Sequence, residues 1–318
     1  MTDKKRNTVF LLGCILFLVF SSGSIQAQVS RFADLDYPYS VQYQQVEDGQ
    51  EVAYVDKGRG PAVILIHGLG SYIPAWKQTI PALSEKYRVI ALDLPGFGKS
   101  SKDIEAYSIP FFVKTVASLQ DSLGIEKAAW VGHSMGGQVA LRAAISYPEK
   151  ISKLVLLAPA GFETFTEQEG TMMSNFVTPE SVKHTPDSLI SQTFKATFFD
   201  FPKEAQFMID DRVAIRLAEN FDGYARAYAG SVQAMLDGPV LGELSSISHP
   251  SLIIFGRQDM LIPNRQLHPN LSTKKVAESG HEKLPNSQLK MVDKAGHFIH
   301  FEQSEIVNKE ILNFLNDK

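Results

Sequence analysis

From residue 41 onward the chain alternates short apolar runs with longer stretches of helical periodicity. "VQYQQV" (41–46) and "EVAYV" (51–55), joined through Asp48-Gly49, read as an antiparallel hairpin. "AVILI" (62–66), "RVIAL" (88–92), "KAAWV" (127–131), "KLVLLA" (153–158), "SLIIF" (251–255) and "QLKMV" (288–292) read as buried strands. Continuous apolar runs of this length suit a parallel sheet covered on both faces. Helical patterns lie between several of them, including "PFFVKTVASLQDSLG" (110–124), closed by a glycine. The pattern predicts an α/β open sheet of about eight mostly parallel strands.

One interval breaks the rhythm. Between "KLVLLAPA" and "PSLIIFG" the chain keeps helical periodicity and shows few strand signals. A connection that long needs structure of its own, commonly as an active-site lid. Residues 161–244 therefore read as a helical cap inserted between the fourth parallel strand and the strand before Asp259. Residues 28–160 and 245–318 then form the core. The interval is dense in Phe and Met, including Phe162, Phe165, Met172, Phe176, Phe194, Phe198 and Met208. Most of these would pack the cap onto the sheet. The remainder, with Phe176 and Phe198 as candidates, would line an apolar pocket.

The amino terminus has a different character. Lys4, Lys5 and Arg6 precede "VFLLGCILFLVF" (9–20), and "SSGSIQAQ" (21–28) follows. A basic start, a short apolar run and a small-residue region describe a signal peptide over residues 1–27, cleaved after Ala27. An exported protein, periplasmic or secreted, is the expectation. The apolar run is short for a bilayer span. Anchoring through this segment, or lipidation at Cys14 within "LLGC", stands as the alternative. Cys14 is the chain's one cysteine, so a chain cut after Ala27 has neither a disulfide nor a thiol nucleophile.

Composition adds only exclusions. The 318 residues are 44% hydrophobic and 21% charged, within the range of folded soluble domains. A net charge of −4 offers no basic footprint for nucleic acid. No His, Cys and carboxylate cluster has zinc-ligand spacing, so neither metal nor cofactor is expected. Nothing in the sequence indicates an oligomeric partner.

Chemistry enters at "VGHSMGGQVA" (131–140). Ser134 lies in Gly132-His133-Ser134-Met135-Gly136, a G-x-S-x-G pattern between a buried strand and a helix. A serine hydroxyl is a weak nucleophile at neutral pH and needs a base, which needs an orienting acid. Asp259 and His297 each follow the end of a later strand, where reactive groups gather in open α/β sheets. Asp237 and Asp293 stand as alternative acids, and His300, His281 and His268 as alternative bases. His67 and His133 read as structural, and Asp93 in "DLPGFGKS" as a loop-fixing residue.

With these residues in place the chain resembles the serine hydrolases of the α/β-hydrolase superfamily. The resemblance covers nearly all of residues 40–316. It rests on "HGLG" (67–70), "DLPGFGKS" (93–100), "GHSMGG" (132–137), "GRQD" (256–259) and "AGH" (295–297), in that order. It implies the α/β-hydrolase fold, a Ser134–His297–Asp259 triad, and an oxyanion hole from the backbone N–H groups of Leu69 and Met135. It also implies an acyl-enzyme reaction, and the Phe- and Met-rich interval 161–244 points to a small apolar ester-like substrate. "GHSMGG" resembles cofactor-free esterases, carbon–carbon bond hydrolases and metal-free haloperoxidases, so carbon–carbon cleavage and perhydrolase chemistry remain open beside ester hydrolysis. Carbon–carbon hydrolases typically carry asparagine where His133 stands. A slow-turnover small-molecule receptor on the same fold is the non-enzymatic alternative. The lengthened stretch 264–287 departs from the pattern and leaves the path from Asp259 to His297 open.

Overall fold

The computed structural model describes residues 29–317. The proposed signal peptide and Cys14 lie outside the described residues. Eight strands form one sheet: β1 (Gln42–Gln45), β2 (Glu51–Lys57), β3 (Ala62–Ile66), β4 (Arg88–Leu92), β5 (Ala128–His133), β6 (Ile151–Leu157), β7 (Ser251–Gly256) and β8 (Ser287–Val292). Their order is β1-β2-β4-β3-β5-β6-β7-β8. β2 runs antiparallel to both β1 and β4, and the remaining neighbours are parallel.

The apolar runs form strands here because both faces of the sheet are covered. Side chains alternate across a strand. Accordingly Ile64, Ile66, Ile90, Leu92, Trp130, Leu154, Leu156, Ile253 and Phe255 share one core with Phe112, Val116 and Val139. Val63, Leu65, Val89, Ala91, Val131, Val155, Leu157 and Ile254 share the other with Trp76, Ile80, Val307 and Ile311. The helix Ile109–Ser122 starts where the Ser108 hydroxyl accepts from the Phe111 amide, with Pro110 in its first turn.

β8 differs from its sequence reading. It is an edge strand, with Gln288 and Lys290 exposed, rather than a strand buried on both faces. The polar residues alternating in "QLKMV" belong to a half-covered edge.

Between β6 and β7 lie the helices Glu167–Phe176, Pro179–His184, Asp187–Lys195, Gln206–Ala214 and Phe221–Asp237, with no strand among the described residues of that interval. Threonine caps at Thr166 and Thr178 start the first two. Phe162, Phe198, Met208 and Tyr224 are buried, whereas Phe176 is 82% exposed and so does not line a pocket. The stretch 264–287 contains the helix Thr273–Lys283, and it is tied back to the sheet end. Arg265 Nη2 donates to Asp259 O at 3.0 Å and to Thr273 Oγ1 at 3.1 Å.

Candidate active site

The parallel registers decide which loops meet. Ile66 of β3 pairs with Gly132 of β5, and His133 pairs with Leu157 of β6. The chain leaves β3 for β4 on one side and then crosses to β5 on the other. The crevice between β3 and β5 is the sheet's switch point, where ligands gather in folds of this kind. "HGLG" emerges from one side of it and Ser134 from the other.

Ser134 sits between β5 and the helix Met135–Ser146 with φ +53° and ψ −119°. A non-glycine residue at positive φ is strained, and such strain persists where the surroundings fix it. Here the Ser134 amide donates to Leu157 O at 2.9 Å, and the Ala160 amide donates to Ser134 O at 3.0 Å. The neighbouring glycines let the turn close. A Cβ on Gly132 would sit 2.2 Å from Gly136 O, and one on Gly136 would sit 2.2 Å from Ile66 O. Although Ser134 begins the helix, its hydroxyl makes no capping bond.

Asp259 and His297 meet across the ends of β7 and β8. His297 Nδ1–H donates to Asp259 Oδ2 at 2.8 Å, and both side chains are buried. Asp259 Oδ1 accepts the Leu261 and Ile262 amides at 2.8 and 3.0 Å, so its second oxygen is committed and the carboxylate cannot swing. The His297 amide donates to Thr197 O at 2.7 Å, which ties the loop to the helical interval.

All the other candidate acids and bases except His300 are engaged elsewhere. Asp237 accepts from Gln233 on the surface, and Asp293 pairs with Arg257. His281 bonds Ser287 and His268 bonds Glu163. His300 lies buried against Trp76 and His133, with neither ring nitrogen hydrogen-bonded among the described residues.

His67, His133 and Asp93 hold the frame. His67 Nε2 accepts the Leu94 amide at 2.9 Å, so Nδ1 carries the proton that it gives to Gly68 O at 2.7 Å. Burial lowers its pKa to about 4 and keeps it neutral. His133 Nε2–H donates to His297 O at 3.0 Å. Burial, then the rings of His300 and His297, push His133 well below the usual histidine range. Asp93 accepts from Tyr37 Oη at 2.6 Å and from the Ile73 and Lys99 amides at 2.7 Å each. Burial pushes it up to about 6 despite these donors.

"HGLG" packs directly on the Ser134 turn. A Cβ on Gly68 would lie 2.9 Å from Ser134 Cβ. Among the described residues neither the Leu69 nor the Met135 amide donates a backbone hydrogen bond. No group of three or more His, Cys, Asp or Glu side chains among the described residues is arranged to hold a metal. Two partners escaped the sequence reading: Tyr37 on Asp93 and Thr197 on His297. Neither pairing leaves a local signal, because each joins residues far apart in the chain.

Comparison with known proteins agrees with this architecture. The family described as alpha/beta hydrolase fold matches residues 61–304. The chain is 31% identical over 283 residues to a 2-hydroxy-6-oxononadienedioate/2-hydroxy-6-oxononatrienedioate hydrolase of Burkholderia vietnamiensis, covering 85% of this chain and 93% of that one. It is also 31% identical over 264 residues to the dihydrolipoyllysine-residue acetyltransferase component of the acetoin cleaving system of Pseudomonas putida. That match covers 80% of this chain but spans only 64% of the relative's length. A crystal structure of a probable hydrolytic enzyme from Pseudomonas aeruginosa PAO1 superposes with a TM-score of 0.81 at 26% identity, covering 92% of this chain and all of that one. The chain belongs to the α/β-hydrolase family and is a hydrolase.

Proposed function

We propose that this chain is an exported serine hydrolase that cleaves an ester, or another activated carbonyl compound, through an acyl-enzyme on Ser134. The observations that carry the reading are the buried His297–Asp259 pair and a serine held at positive φ on the strand-to-helix turn, whose neighbouring residue His133 bonds the His297 carbonyl, with the Leu69 and Met135 amides making no backbone hydrogen bond among the described residues. His297 Nε2 takes the Ser134 proton as Oγ attacks the substrate carbonyl, while Asp259 fixes the tautomer and stabilises the imidazolium. The Leu69 and Met135 amides donate to the developing oxyanion. The alcohol leaves with the proton from His297. Water then attacks the acyl-enzyme with the same histidine as base, and Ser134 is released.

Residues 161–244 act as the cap in this reading. Phe198 stacks on Phe298, next to His297, with ring centroids 5.1 Å apart. Phe194 lies 5.3 Å from the same ring. This apolar wall favours small uncharged acyl or aryl groups. The export reading rests on residues 1–27, and mass spectrometry of the mature amino terminus tests it. A protein beginning at Met1 or Thr2 would exclude cleavage.

One observation favours a second reading, carbon–carbon bond cleavage. Arg212 lies over the Tyr224 ring at 4.4 Å, and its Nη1 is buried without a hydrogen-bond partner among the described residues. Tyr224 Oη in turn reaches Gly70 O, at 3.4 Å, in the loop after β3. A substrate carboxylate is the chemistry such a guanidinium lacks, and the Burkholderia vietnamiensis relative is named for dicarboxylic substrates. Fluorophosphonate labelling of wild type and Ser134→Ala tests the nucleophile. A panel of neutral and anionic esters beside a vinylogous β-diketone acid then separates the two readings. Labelling that persists in Ser134→Ala would move the nucleophile elsewhere.

A further inference from the structure

The cap must leave the core and return to it, and both connections converge on one side chain. Gln138 lies one turn beyond Ser134 on the helix Met135–Ser146 and is 1% exposed. Its Nε2 donates to Met235 O at 2.9 Å and to Gly238 O at 2.8 Å. These carbonyls close the last turn of the helix Phe221–Asp237, where backbone acceptors have no partner within their own helix. Its stem supports the other connection. A Cβ on Gly161 would come 3.2 Å from Gln138 Cγ and 2.6 Å from Val240 Cγ2. Gly161 has φ +89°, so the outgoing chain turns there directly over the returning one.

The same helix face continues the attachment. Positions 134, 138 and 142 follow one another at single-turn spacing. Arg142 Nη2 donates to Pro239 O at 2.8 Å and pairs with Glu243. One end of this row carries the reactive hydroxyl, and the rest grips the cap's return.

We propose that Gln138 is a positioning residue that locks the root of the cap to the nucleophile helix, and thereby sets acyl-chain recognition rather than the reactivity of Ser134. The proposal rests on the serine-hydrolase reading above. Glutamine suits the task because one nitrogen supplies two uncharged N–H donors. Glutamate offers no donor once ionised, and leucine or methionine offers none at all. Among the described residues its side-chain hydrogen bonds go only to the Met235 and Gly238 carbonyls, so its loss acts through the cap.

The test is Q138M, which keeps length and apolar stem but strands both carbonyls. The second-order labelling rate with a small ethyl fluorophosphonate should stay within about twofold of wild type. KM for p-nitrophenyl hexanoate should rise about five- to tenfold, the scale of one or two lost hydrogen bonds. KM for the acetate should change less than about twofold, and kcat for both should hold, which is the signature of lost uniform binding. Q138K, which restores donors to the two carbonyls, should recover most of the hexanoate KM. If Q138M does not fold, Q138N, with a shorter reach, should show the same chain-length-dependent rise. Equal kcat losses on acetate and hexanoate would overturn the assignment, as would an unchanged chain-length profile. Wild-type protein that fails to label at all would instead overturn the serine-hydrolase reading.

Discussion

His133 Nε2–H donates to the carbonyl oxygen of His297 across 3.0 Å, so the residue before the proposed nucleophile Ser134 holds the loop that carries the proposed base. The two rings lie 4.8 Å apart. His133→Phe keeps a ring of similar size and removes the donor. The expected result is a fall in kcat of about ten- to a hundredfold with KM little changed, because the base and not the pocket is displaced. Steady-state kinetics on one neutral ester decide it. A rise in KM at constant kcat would assign His133 to substrate binding instead.

Asp259→Asn should cost on the order of 10³–10⁴ in kcat, since the amide no longer fixes the His297 tautomer. The double variant with His297→Ala should be no worse than His297→Ala alone, because the residues act as one unit. Fully additive losses would mean that the 2.8 Å bond is structural only.

Phe198→Ser should lower kcat/KM for hexanoyl more than for acetyl esters. Phe198 is buried and stacked on Phe298 beside the base. Phe176→Ser should leave the profile unchanged, because that ring stands 82% exposed. The contrast between the two profiles is the measurement. Identical behaviour would place the apolar wall elsewhere.

Much of this is legible in the sequence because the core strands are nearly pure Val, Ile, Leu and Ala. No other element buries such short runs on both faces. The Ser134 turn was legible because close backbone approach at Gly132 and Gly136 admits no side chain. Orientation within amphipathic helices was not. Phe176 and Phe198 look alike as letters, yet one faces water and the other is buried and stacked on Phe298. β8 reads as buried because its apolar residues resemble those of β7, although Gln288 and Lys290 mark an edge. Gln138 left a faint trace, a lone amide in the apolar helix "GQVALRAA", whose meaning depends on carbonyls about a hundred residues away.

Stability should fall as the medium becomes acidic. A free histidine titrates near 6.5. In the folded protein His67 is lowered to about 4 and His300 to about 3, both by burial, and His133 is also strongly lowered. The unfolded chain therefore takes up protons first. The stabilisation is complete above about pH 6.5 and is lost as the pH falls towards 4 and then 3. His67 alone accounts for about 3 kcal/mol. Asp93, raised to about 6, works the other way between about 6 and 4, and Glu163 and Asp211, also raised by burial, oppose the trend with it, but the buried histidines carry the larger shifts. His300→Phe should flatten the slope and raise the melting temperature near pH 7, since neither His300 nitrogen has a hydrogen bond to lose among the described residues. Thermal melts from pH 7.5 to 4.5 measure both effects. An identical slope in the variant would contradict the assignment.

Gly68→Ala separates positioning from folding at the oxyanion loop. Gly68 precedes Leu69, whose amide is one of the two proposed donors. A Cβ at position 68 would stand 2.9 Å from Ser134 Cβ, 3.1 Å from His133 Nδ1 and 3.3 Å from His133 O. None of these neighbours can yield easily. Ser134 is pinned by Leu157 and Ala160, and His133 by its bond to His297. The loop after β3 must move instead, and the Leu69 amide moves with it. A donor displaced from its place costs about 10²–10³ in kcat. The backbone of Gly68 has an ordinary φ, so alanine adds no left-handed strain and the melting temperature should drop by only a few degrees. The diagnostic pairing is a large kcat loss with near-native stability and intact Asp259–His297 geometry. Wild-type turnover in Gly68→Ala would remove the Leu69 amide from the mechanism, whereas a collapse of stability would make the glycine a packing requirement alone.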